Sequence, residues 1–174
     1  MNTKIVSAFI ERKNNINEDL STGSLISLGN LIRDIVDSAG YEVSDTTGVS
    51  AIMCQGHSFL TQVLADLIGL KGEIIEFGQK GYTLHVAFAI LNKERGCYKI
   101  LDAYPEGMFG QPEVAVYELP ENSPDIHPAQ KDKSWYQQYQ VLALAYRNVL
   151  QNNPYCKASF AKYLLENKIQ LNRD

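Results

Sequence analysis

Three strand candidates lie in the middle of the chain: Glu73 to Phe77, Thr83 to Leu91, and Tyr98 to Ala103. They constrain the fold more than any other feature. Each is short enough for a strand, and Gly78 to Gly81 and Asn92 to Gly96 separate them with turn chemistry. A parallel crossover needs a dozen or more residues, so such short links make neighbouring strands antiparallel. A fourth strand is expected at Glu113 to Leu119.

Helical patterns flank these strands. Leu25, Leu28, Leu31, Ile32, Ile35 and Val36 recur at helical spacing, and Ser24 and Gly40 are the expected start and stop of a helix over 25–39. A shorter helix is expected at 4–13, with a polar loop over 14–23. Phe59, Leu60, Val63, Leu64, Leu67 and Ile68 form the apolar face of a helix over 54–68, which Gly69 ends. Pro120, Pro124 and Pro128 mark 120–130 as an exposed connection. Beyond it, Trp135, Tyr139, Leu142, Tyr146 and Val149 share a helix face, and Asn153-Pro154 opens a last helix. The order is that of an α+β domain: N-terminal helices packed on an antiparallel sheet, with C-terminal helices. A length of 174 residues suits one domain with one core. We expect a single domain over 1–174, with its core at about 48–119 and a C-terminal helical extension at about 131–170.

Composition excludes several classes. With 45% apolar and 21% charged residues the chain is neither disordered nor fibrous. A net charge of -4 without a basic cluster argues against nucleic acid as a partner. No run approaches the roughly 18 apolar residues of a membrane span. The short run Ile5 to Ile10 is cut off by Glu11, Arg12 and Lys13, a poor signal peptide. Three cysteines make a disulfide framework unlike this chain. A reducing compartment, the cytoplasm, is the expected location.

The chemistry-bearing residues are Cys54, His85 and Asp102. Cys54 is expected to open a helix, where unpaired N–H groups and the helix dipole favour a thiolate. Such sites lower a thiol pKa from about 8.5 to roughly 3.5–7.5. His85 lies in a buried strand, and Asp102 near the end of the next. Taken singly, each has an ordinary structural explanation: a packed thiol, a core histidine bonded to backbone, a solvated turn carboxylate. Together they do not. If the two strands pair about a centre between Lys93 and Glu94, His85 and Asp102 come opposite or nearly so. Asp102 then orients one ring nitrogen and turns the other to the thiol, the logic of nucleophile, base and orienter.

These residues resemble the transglutaminase-like superfamily of papain-like cysteine enzymes. The resemblance rests on the order and gaps of Cys54, His85 and Asp102. Their contexts also carry it: Cys54-Gln55-Gly56-His57-Ser58-Phe59-Leu60, Leu84-His85-Val86-Ala87-Phe88 and Leu101-Asp102-Ala103-Tyr104-Pro105. It covers roughly residues 48–110. Ile52 stands where the family usually has Gly, and Val86 where an aromatic often follows the His. The resemblance implies a papain-like core, an acyl-enzyme on Cys54, proton transfer by His85, and Asp102 holding the ring. The Cys54 N–H is one implied oxyanion donor, with Ser50, Thr47 and Tyr41 as candidates for the second. Water as acceptor gives a peptidase or deamidase, and an amine gives a transamidase. A peptide or protein substrate is expected, with no cofactor, no metal and no membrane. The two departures motivate an alternative, a catalytically inactive peptide- or protein-binding module on the same fold. A compact domain also permits a bacterial toxin or effector that modifies a rival's protein.

Other candidates rank lower. His57, one turn after Cys54, could face the sulfur but reads better as a packing residue. His127 is expected to be solvated. Cys97 and Cys156 are expected to be structural. The Trp135 to Tyr146 stripe suits a core face.

Overall fold

The computed structural model describes residues 21–38, 54–78, 83–104 and 113–167. The expected helix at 4–13, Gly40, and Tyr41, Thr47, Ser50 and Ile52 lie outside them. The elements in chain order are α1 (Thr22–Ser38), α2 (Cys54–Leu67), β1 (Glu73–Phe77), β2 (His85–Asn92), β3 (Cys97–Asp102), β4 (Ala115–Pro120), β5 (Ile126–Pro128), α3 (Ser134–Asn152) and α4 (Pro154–Glu166). The described protein is α+β, helices and one five-stranded antiparallel sheet of order β4-β3-β2-β1-β5. No helix among the described residues is long and apolar enough to cross a membrane.

Helix ends follow local chemistry. α1 starts earlier than Ser24 predicts, because Ser21 is the cap: its hydroxyl accepts the Ser24 N–H at 3.1 Å. Thr22 and Gly23 are therefore helix, not loop. α2 ends at Gly69, which takes the left-handed conformation at φ 77°. Its N–H bonds the Asp66 carbonyl, and the Leu70 N–H bonds the Ala65 carbonyl, closing a Schellman motif. Asn153 caps α4, accepting from the Tyr155 N–H at 2.9 Å, with Pro154 in the first turn. On α3, Trp135 is half-buried and Tyr136 and Leu150 are buried. The side chains of Tyr139, Leu142, Tyr146 and Val149 lie outside the described set.

The sheet has two apolar faces. Ile74, Val86, Phe88, Ile90, Leu101 and Ala103 pack with α1 and α2 through Leu25, Leu28, Ile32, Leu60 and Leu64. The other face carries Ile75, Phe77, Ala87, Ala89, Tyr98, Ile100 and Ile126. Side chains alternate along a strand, so His85, in step with Ala87, and Asp102, in step with Ile100, belong to this second face. The rings of Phe77 on β1 and Tyr117 on β4 lie 6.4 Å apart. A flat sheet would hold strands three places apart by about 14 Å, so the sheet curls around this face.

Two further expectations need correction. The β2–β3 hairpin is centred one residue later than expected, between Glu94 and Arg95, since Asn92 pairs with Cys97. Gly96, at φ 59°, accommodates the four-residue turn. His85 is therefore not directly opposite Asp102 but two residues from that position. An offset of two preserves the face, and diagonal neighbours remain within reach of long side chains. The segment 120–130 is also more than an exposed connection. It contains β5, which pairs with the free edge of β1 and buries Ile126. A sheet edge offers unpaired N–H and C=O groups, and an edge strand tolerates Pro128.

Candidate functional site

α2 brings its first residue to the end of the sheet where β2 begins. Ser58 anchors this approach. Its buried hydroxyl donates to the Cys54 carbonyl at 2.6 Å and lies 3.1 Å from the Val86 carbonyl, linking the first turn of α2 to the residue after His85. Cys54 is half-buried, as is Cys97, whereas Cys156 is buried.

His85 and Asp102 are each only 1% exposed. Nε2 of His85 and Oδ2 of Asp102 are 2.6 Å apart, the short separation of a charge-assisted bond. The other carboxylate oxygen, Oδ1, accepts the Tyr104 N–H at 3.0 Å, an Asx turn that fixes Asp102 at the strand end. With Nε2 committed to Asp102, Nδ1 is the nitrogen left for Cys54. Burial by itself disfavours the imidazolium. Hydrogen bonds to Asp102 and to Cys54, with the electrostatic attraction of both, outweigh it, and the His85 pKa is pushed up to about 9. At neutral pH the ring therefore carries a proton that it can deliver.

The structure thus brings all three expected residues together, with His85 interacting with both Asp102 and Cys54. The other described candidates have partners of their own. His57 is buried and stacks on the Tyr104 ring, centroids 4.9 Å apart, so it joins the Cys54 helix to the segment that follows Asp102. His127 is not solvated in a loop. It sits on β5 opposite Glu76, half-buried, because the edge of β1 captures this segment. Cys156 packs in the core with its sulfur 3.6 Å from the Ser38 hydroxyl. Among the described residues, no group of three or more His, Cys, Asp or Glu side chains is placed to hold a metal ion.

Sequence reasoning missed four contributors. Phe77 packs against the His85 ring at 5.6 Å. Tyr117 brings a buried hydroxyl to the Asp102 side of the site. Glu76 is 5% exposed and ion-pairs with Lys133 at 2.8 Å. It also accepts from the Gln130 N–H at 3.0 Å and from the Thr83 hydroxyl. This cluster pins Thr83, two residues before His85, to the start of α3. The only sequence signal was a charged residue flanked by apolar ones in a strand, Glu76 between Ile75 and Phe77.

No protein-family model, curated protein or solved structure matches the chain.

Proposed function

We propose that the chain is a cysteine-nucleophile enzyme on a papain-like, transglutaminase-like core. Its reaction is hydrolysis or acyl transfer at amide bonds through Cys54, His85 and Asp102. The supporting observation is the almost wholly buried His85 ring, bonded to Asp102 at 2.6 Å with Cys54 as its other partner, which together raise its pKa.

The chemistry follows from that arrangement. The Cys54 sulfur, its proton held on His85 Nδ1, attacks the carbonyl carbon of a peptide or protein amide. The carbonyl π pair moves to oxygen, toward which the Cys54 backbone N–H at the helix start would donate. Collapse re-forms the carbonyl and breaks the C–N bond, and His85 delivers its proton to the leaving amine. The resulting thioester is opened by water, giving hydrolysis, or by an amine, giving transamidation. His85 takes a proton from either acceptor and the thiol is restored. Asp102 holds the ring orientation throughout.

Alkylation by iodoacetamide at pH 7 tests this reading. Cys97 is the fair comparator, since it is half-buried like Cys54. Cys54 should react about tenfold faster or more. Equal rates would leave only the binding-module alternative, in which Cys54→Ala retains ligand binding.

A further inference from the structure

A buried carboxylate needs donors for its lone pairs, of which it has about four. At Asp102 two donors are already placed, His85 Nε2 at 2.6 Å and the Tyr104 N–H at 3.0 Å. A third group comes from β4. In the β3–β4 register Asp102 pairs with Ala115 and Ile100 with Tyr117. Tyr117 therefore shares the face of Asp102 and is its diagonal neighbour across the strand pair, a distance that a long aromatic side chain spans. Its oxygen has essentially no exposed surface and lies near enough to the Asp102 carboxylate to feel its charge, though beyond ordinary hydrogen-bond distance of it. Burial first, and then the Asp102 carboxylate it faces, hold this phenol well above its ordinary pKa. It keeps its proton wherever the site works, so toward a carboxylate it acts as a donor. Phe77 packs on both Tyr117 and His85, at 6.4 and 5.6 Å, and keeps the tyrosine from swinging away.

We propose that Tyr117 is a positioning residue of this site, donating its hydroxyl proton to the Asp102 carboxylate and thereby setting how firmly Asp102 holds the proton on His85. The inference rests on the triad reading of Cys54, His85 and Asp102. Two consequences follow for the carboxylate. The hydroxyl restrains it in the rotamer that meets Nε2. It also draws off part of the negative charge that His85 would otherwise feel. Tyr104 and His85 still orient Asp102 when the hydroxyl is gone, so the charge effect dominates in Tyr117→Phe. The remaining carboxylate charge falls more heavily on His85, which then binds its proton more tightly.

The test is an NMR titration of the His85 ring in wild type and Tyr117→Phe, with the signals of His127 and the circular dichroism as controls for folding. The His85 midpoint should rise by about half a pH unit or more, since a hydrogen bond to the charged form is one of the main determinants of a pKa. A tyrosine that only fills space would leave the midpoint unmoved, because Phe has the same ring. An unmoved or lowered midpoint in a folded variant overturns the proposal. If the variant does not fold, the wild-type Tyr117 hydroxyl proton decides. It should exchange slowly and shift in Asp102→Asn, and a signal indifferent to that substitution overturns the proposal. The titration needs no substrate. If Cys54 alkylates no faster than Cys97, the triad reading fails, and the Tyr117 to Asp102 bond is still judged by the titration alone.

Discussion

Replacing Asp102 with Asn keeps the shape of the side chain and its acceptor for the Tyr104 N–H, but removes the charge opposite His85. In the wild-type protein His85 is pushed up to about 9, against about 6.5 for an ordinary histidine. A raised value means that folding is favoured by protonation. The contribution is fully present below about pH 6.5 and is lost as pH rises through about 9. At roughly 1.4 kcal/mol per unit it amounts to about 3 kcal/mol, large beside the ~5–15 kcal/mol of a whole domain. His85 is 1% exposed, so solvent screening removes little of it. In Asp102→Asn burial regains the upper hand and the His85 midpoint falls toward or below the ordinary value. Urea unfolding of both proteins at pH 6 and pH 10 measures the effect. The stability gap should shrink by about 3 kcal/mol between the two pH values, with the denaturant slope unchanged. Alkylation of Cys54 at pH 7 should slow on the order of 100-fold, as the imidazolium that pairs with the thiolate is lost. A gap that is equal at both pH values would refute the reasoning, because it would mean that Asp102 does not control the charge of His85.

Two further outcomes concern the scaffold. Lys133→Met leaves the Glu76 carboxylate with only the Gln130 N–H and the Thr83 hydroxyl. Lys133 is 24% exposed, so the loss should be about 2–3 kcal/mol, short of the ~3–5 of a fully buried pair. Burial opposes the Glu76 charge, but Lys133 and the hydrogen bonds hold its pKa below the ordinary carboxylate value. The pair's contribution is thus present above about pH 4.3 and fades as pH falls through the folded value. Urea titrations at pH 7 and near pH 3 should show the wild-type advantage narrowing, and a constant advantage would count against the ion pair. Gly72→Ala places a methyl group against the Phe88 ring and 2.6 Å from the Ala89 carbonyl oxygen. A cost of about 1–3 kcal/mol in chemical unfolding is expected, and a neutral result would show that the β1 start can move aside.

Much of the local structure was legible in the sequence. Helical spacing and Gly69 located α2, so the placement of Cys54 at a helix start needed no tertiary information. Short turn-rich links determined that β1, β2 and β3 are antiparallel. The expected pairing of the two strands put His85 and Asp102 on one face, and that held although the hairpin centre did not, because a register error of two positions leaves the parity intact. These features depend on backbone geometry over a few residues. The tertiary structure decided the rest. The register of β2 on β3 followed from a four-residue turn closed by Gly96 and from the facing side chains that must interlock. β5 formed in a Pro-rich segment because β1 had an edge to satisfy. Tyr117 and Lys133 reached the site from 15 residues beyond Asp102 and 57 beyond Glu76, respectively. Periodicity carries no record of such partners, because a side chain's distant neighbours are chosen by which faces and edges remain open when the core closes.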